Sequence, residues 1–105
     1  MAQVPDEIMI IVRRYIAELE ESDIHLKSAI LFGSYATGKY REFSDIDVAL
    51  ISDDFQGVRF FDKQRIMKPT LAIDYRIDPL PFRTKDFKED NLLVKEILET
   101  GIRII

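Results

Sequence analysis

Two aspartates opening an otherwise apolar strand constrain this chain more than any other feature. They stand in the stretch DIDVALIS, residues 45–52. Side chains alternate along a strand, so Asp45 and Asp47 project from one side, about 6.6–7 Å apart at their Cα atoms. Ile46, Val48 and Leu50 take the other side. Two carboxylates at that spacing repel each other, and ionisation of both is costly unless a cation lies between them. Mg²⁺ answers that need: it is hard, prefers oxygen, keeps several waters, and is held by one or two carboxylates plus substrate phosphates. Alone, an Asp-x-Asp pair in most proteins is simply a solvated strand edge or turn.

The residues just upstream sharpen the choice. SAILFGS is a short apolar run closed by Gly33 and Ser34, which reads as a buried strand. A glycine at a strand end, followed by serine and a short helix, lets the backbone approach an anion closely. The Ser34 hydroxyl either donates to a phosphate oxygen or caps the helix. Taken together, a phosphate cradle at the end of one strand faces a metal clamp on the next. That arrangement suits a nucleoside triphosphate with its Mg²⁺.

The rest of the pattern supplies a frame. Ile8, Ile11, Val12, Tyr15, Ile16 and Leu19 recur at three- and four-residue spacing, so residues 6–21 read as an amphipathic helix with Pro5 and Asp6 at its start. A short helical piece follows Ser34. GVRFFDKQRIMK reads as a helix, with Val58, Phe61 and Ile66 as apolar contacts and Pro69 as its stop. TLAIDYRID, residues 70–78, alternates as a third strand ending at Pro79. Residues 86–100 read as a last helix with Leu93, Val94, Ile97 and Leu98 as its stripe and Gly101 as its stop; IRII adds a short edge strand. The order α-β-α-β-α-β-α predicts an α/β domain, a small mixed sheet flanked by helices. At 105 residues the expectation is one domain, with no repeat or linker. The net charge of −4 argues against a general nucleic-acid surface, and no apolar run is long enough for a membrane span. The absence of cysteine excludes disulfides and thiolate metal sites and agrees with a cytoplasmic location.

GSYATGKYREFSDID, with Gly-Ser, ten residues and Asp-x-Asp, resembles the signature of the polymerase-β-like nucleotidyltransferase superfamily. The small size, GSYATG and SDIDVAL are similar to its minimal members, the MNT nucleotidyltransferases, which resemble the antitoxin halves of HEPN–MNT toxin–antitoxin pairs. The resemblance implies that Gly33 and Ser34, with Ser44 beside the first acid, hold the triphosphate of an NTP, ATP being favoured. It implies that Asp45 and Asp47 ligate two Mg²⁺ ions together with a third carboxylate from a later strand. Asp78 is the favoured third acid and Asp74 its rival; both fall on one face of the predicted strand, about 13 Å apart. An antiparallel third strand would bring Asp78 to the metal, a parallel one Asp74, and the antiparallel arrangement is expected. Two functions follow: an enzyme moving an NMP onto a hydroxyl of a partner protein, with a HEPN protein as partner, or a non-catalytic antitoxin that neutralises its partner by binding. A chain this short must take its acceptor grip from a partner or from a second copy. His25 reads as a surface residue, Lys39 and Arg41 as a solvated helix end within reach of a triphosphate, and Tyr35 and Tyr40 as packing. Phe60 and Phe61 read as core in part, or as a partner surface where exposed.

Overall fold

Residues 4–105 are described by the computed structural model of the chain. The first helix, α1 (Asp6–Glu21), buries Ile8, Ile11, Val12, Tyr15 and Leu19, as its spacing predicts. β1 (Ser28–Phe32) runs into a single helical turn, α2 (Ser34–Thr37), and the chain returns as β2 (Ile46–Ile51), antiparallel to β1. α3 (Arg59–Ile73) then crosses to β3 (Ile77–Phe82). After a 3-10 turn at Thr84–Asp86 comes α4 (Leu92–Thr100), and β4 (Ile102–Arg103) closes against β1. The sheet is mixed, in the order β3-β2-β1-β4, which is the predicted α/β architecture.

Alternation along β2 divides the core. Ile46, Val48 and Leu50 pack with α1, Ile66 of α3 and Ile77. Ala49 and Ile51 face the other way, where Val94 and Ile97 of α4 cover them together with Ile30 and Phe82. Burying an Ile or Val side chain stabilises by about 1.5–3 kcal/mol, so both layers fix the register of β2.

Three predicted boundaries are wrong. Pro69 does not stop α3; it lies inside the helix, buried, four residues short of the end. The last turn is held from outside by its neighbours. Thr70 is buried, its hydroxyl donates to Ile66 O at 2.7 Å, and the Tyr15 hydroxyl meets it at 2.7 Å. The third strand therefore begins at Ile77 rather than at residue 70, and it continues through Pro79 and Pro81. It tolerates them because it is an edge strand. Ile46 N–H donates to Arg76 O and Ser52 N–H to Phe82 O, so the even-numbered residues of β3 bond to β2. The two prolines fall on the outward positions, where a missing N–H costs nothing to the ladder. Lastly, α4 starts at Leu92, not at residue 86. Asn91 caps it, its Oδ1 accepting from Leu93 N–H at 2.9 Å, while Arg83 and Asp86 pair at 2.6 Å across the separate 3-10 turn. Gly101 ends α4 but without a left-handed φ; a Cβ there would overlap Ile97 O and the Ile30 side chain.

The expected antiparallel third strand is also corrected. β3 pairs with β2 in parallel, Asp78 opposite Asp47. A crossover helix of 15 residues carries the chain back to the end from which β2 started, which only a parallel strand can use.

Burial raises the Tyr15 hydroxyl to about 12, and Thr70 is its partner. Thr70→Val is expected to lower stability by about 1–3 kcal/mol, since a buried hydroxyl loses its acceptor. A urea melt of the two proteins measures this, and an unchanged midpoint would contradict the pairing.

Candidate active site

β1, β2 and β3 meet in one transverse row. Phe32 lies opposite Asp47, and Asp47 opposite Asp78. These residues share the α4 face of the sheet, yet α4 covers Ile30, Ala49, Ile51 and Phe82, the rows farther along. The two acids thus stand on the end of that face which α4 leaves uncovered.

Asp47 and Asp78 stand side by side across β2 and β3, and the charge of Asp78 acts on Asp47. The Asp47 carboxyl is pushed up from 3.8 to about 6, first by burial, then by the charges of Asp78 and Asp45. Asp47 is half-buried, Asp78 is exposed, and Lys63 of α3 lies 3.8 Å from Asp78 Oδ1. Asp45, exposed, acts on Asp47 through charge alone. Among the described residues, no three carboxylate or imidazole side chains already converge on one point. The arrangement is a close pair with a third acid beside it. It fits a hard divalent cation chemically: oxygen donors only, with mutual repulsion that a positive charge would relieve.

Gly33 borders this pair. Its φ of 74° is left-handed, and a Cβ would overlap the Asp47 carboxylate. No other residue both makes that turn without strain and leaves Asp47 in place. The Gly33 carbonyl accepts from the Ala36 and Thr37 N–H groups, which folds the chain directly into α2. Gly33 occupies the N-cap position and Ser34 is the first helical residue, so the capping alternative for Ser34 does not hold. Ser44 has its oxygen engaged by Arg41 N–H at 2.7 Å, leaving its O–H free to donate. That bond closes the turn ahead of Asp45, in which Phe43 takes a left-handed φ of 63°.

The rival acid is elsewhere engaged. Asp74 forms a forked pair with Arg76, at 3.1 and 3.0 Å, and Arg76 holds its carboxyl below the usual range. It closes the turn between α3 and β3 and takes no part in the row of acids. Lys39 and Arg41 are exposed, on the loop between Ser34 and Asp45. Tyr35 is buried and stacks on Tyr40 at 4.8 Å, in keeping with packing. His25 is exposed and pairs with Asp54 at 3.2 Å. Lys63 was not foreseen; its approach to Asp78 runs from helix to edge strand, a contact that no local spacing encodes. A cavity of 460 Å³ opens at the far end of the α4 face, lined by Lys27, Ser28, Ile30, Phe87 and Ile97 among others, with no carboxylate in its wall. Its lining has no carboxylate to ligate a divalent cation, so the site is placed at the acids.

Residues 14–105 match the family described as polymerase beta, nucleotidyltransferase. The chain belongs to that family. A Methanocaldococcus jannaschii relative, provisionally named a protein adenylyltransferase, is 32% identical over 83 residues, 75% of this chain and 79% of its own. Among solved structures, a toxin–antitoxin crystallised with AMP-PNP superposes with a TM-score of 0.62 at 23% identity, covering 89% of this chain and 71% of that one. A nucleotidyltransferase of provisional assignment from Sulfolobus solfataricus gives 0.57 at 20% identity, covering 98% and 89%. These two likenesses show the fold. The chain is accordingly a nucleotidyltransferase, and its Gly33–Ser34 and Asp45–Asp47 elements stand in the strand-helix-strand unit on which the family resemblance rests.

Proposed function

We propose that this nucleotidyltransferase, acting as one minimal domain, transfers AMP from ATP to a hydroxyl of a partner protein, as the antitoxin half of a HEPN–MNT pair in the cytoplasm. The observation that carries the reading is the Asp47–Asp78 pair beside Gly33 on the uncovered end of the sheet. Support for adenylyl transfer comes from the name of the M. jannaschii relative. Support for the toxin–antitoxin setting comes from the AMP-PNP complex and from an MntA–HpeT structure with two Asp→Glu changes two positions apart.

In this reading Gly33, Ser34 and Ser44 bind the triphosphate, with Lys39 and Arg41 at its rim. Asp45, Asp47 and Asp78 would hold two Mg²⁺ ions, which would lower the pKa of the acceptor hydroxyl and neutralise the departing oxygens. The hydroxyl attacks the α-phosphate in line and pyrophosphate leaves. Asp78, the more exposed of the pair, faces the acceptor and takes its proton. Asp47, half-buried against Gly33, fixes the position of the pair. The other reading, an antitoxin that only binds, is weakened by the Asp47–Asp78 repulsion, which binding alone would not require.

The test uses α-labelled ATP, Mg²⁺ and the product of the adjacent gene. Label on that protein with release of pyrophosphate is the expected result; stable binding without label would favour the non-catalytic reading. Ser34→Ala refines it. Loss of a hydroxyl–phosphate bond is worth about 1.5–3 kcal/mol, so affinity for a non-hydrolysable ATP analogue is expected to fall about tenfold or more. Because Ser34 is not the cap, stability should stay unchanged. Isothermal titration beside a urea melt reads both, and full affinity in the variant would remove Ser34 from the site.

A further inference from the structure

The helix α3 presents a face that the fold does not use. Phe60, Met67 and Leu71 are 65%, 53% and 63% exposed. With Gln64 they recur at four-, three- and four-residue steps, a single stripe opposite the buried Ile66, Pro69 and Thr70. Sequence reading expected Phe60 and Phe61 in part in the core; both are more than half exposed. The charges on this helix are as uneven as its apolar residues. Arg59, Lys63, Arg65 and Lys68 are cationic, and the one acid, Asp62, is buried, accepting from Gln56 N–H at 2.8 Å and Gly57 N–H at 2.9 Å. This happens on a chain whose net charge is −4. Beside the stripe runs a groove of 140 Å³, lined by Lys63, Met67, Thr70, Leu71 and Pro79. Its Lys63 edge reaches Asp78.

We propose that this face docks an amphipathic helix with acidic flanks, carried by the protein whose hydroxyl accepts the nucleotide; the identity of that protein as acceptor rests on the function proposed above. The spacing of the stripe matches one side of a helix–helix seam. Lys68 and Lys63, the latter already 3.8 Å from Asp78, flank the stripe on opposite sides and favour acidic partners. Pro79 and Pro81 remove N–H donors from the outer edge of β3, so an added strand is disfavoured and contact must run through side chains. A second copy docked α3 against α3 would set these cations against each other.

The probe is a stapled helical peptide with Leu at i, i+4, i+7 and i+11 and Glu on both flanks; its counterpart carries Lys on the flanks. Fluorescence anisotropy is expected to show the Glu peptide binding at least about tenfold more tightly than the Lys peptide. In the double variant Met67→Glu, Leu71→Glu that binding should fall at least about tenfold, with the circular dichroism melt and the affinity for an ATP analogue unchanged. Equal affinity for the two peptides, or an indifferent double variant, overturns the dock. So does a sedimentation dimer that the double variant dissolves, or a single-stranded oligonucleotide outcompeting the Glu peptide. Absent nucleotide affinity in the wild-type protein, beside intact peptide binding, would instead count against the function and leave the dock standing.

Discussion

Asp47→Asn is expected to cut nucleotide transfer about a thousandfold or more, the loss of several kcal/mol of transition-state stabilisation, while the metal-free protein becomes more stable. The two effects have one cause. Asp47 is half-buried beside Asp78, and burial and neighbouring charge push its carboxyl up from 3.8 to about 6. The native state therefore holds this proton more tightly than the unfolded chain. Native stability is undiminished by Asp47 at pH below the unfolded value, falls as pH rises from there to about 6, and bears a constant penalty above it. Because the group is half-exposed, solvent screening reduces that penalty to about 1 kcal/mol. The Asn variant lacks the penalty and its slope. Denaturant midpoints of both proteins between pH 4 and pH 7 without metal, beside a transfer assay, check the pair of outcomes (about four pH points suffice). Full activity in the variant would remove Asp47 from the chemistry, and equal slopes would remove the repulsion.

Asp78→Asn and Asp74→Asn are expected to fail in opposite ways. The first should lose transfer to a similar degree while affinity for an ATP analogue stays within about threefold, because Asp78 faces the acceptor side of the row. The second should keep transfer and lose about 1–3 kcal/mol of stability, since Arg76 would be left without the carboxylate that it grips with two bonds. Its pH dependence has the other sign. A carboxyl held low in the fold contributes stability above its unfolded pKa and loses it as pH falls through the folded value. Transfer and denaturation measured on both variants decide the matter. An inactive Asp74→Asn beside an active Asp78→Asn would reverse the assignment.

How much of this was legible in the sequence depends on how local the signal is. The Gly33–Ser34 turn and the two aspartates are encoded within 15 residues, and the structure sets Gly33 against Asp47. The α1 stripe was likewise readable from spacing, and so were Val94 and Ile97 of α4, though Leu98, expected in that stripe, is exposed. Pro69 misled because a proline rule reads only the backbone, whereas Tyr15, 55 residues away, helps to hold the last turn of α3. That error displaced the third strand; its direction was misjudged separately, as an antiparallel pairing. The favoured third acid nevertheless stands beside Asp47, although the argument for it was wrong in two places. Asp78 lies near the start of a parallel strand, not at the end of an antiparallel one. The two errors cancel at Asp78: either alone would have put it at the wrong end of the sheet. What no local pattern could give is the reach of Lys63 across to Asp78 and the exposure of Phe60 and Phe61, both of which depend on where α3 lies against an edge strand.

The central claim is that Asp47 and Asp78 with Gly33 form the transfer site. Crystals grown with Mn²⁺ and a non-hydrolysable ATP analogue test it most directly through the anomalous signal of the ion. The Mn²⁺ peak is expected between the Asp47 and Asp78 carboxylates, with Asp45 as a further ligand and the triphosphate against Gly33 and Ser34. A Mn²⁺ peak at Asp74, at the Asp53–Asp54 loop or in the cavity under α4, with the row of acids empty, would contradict it.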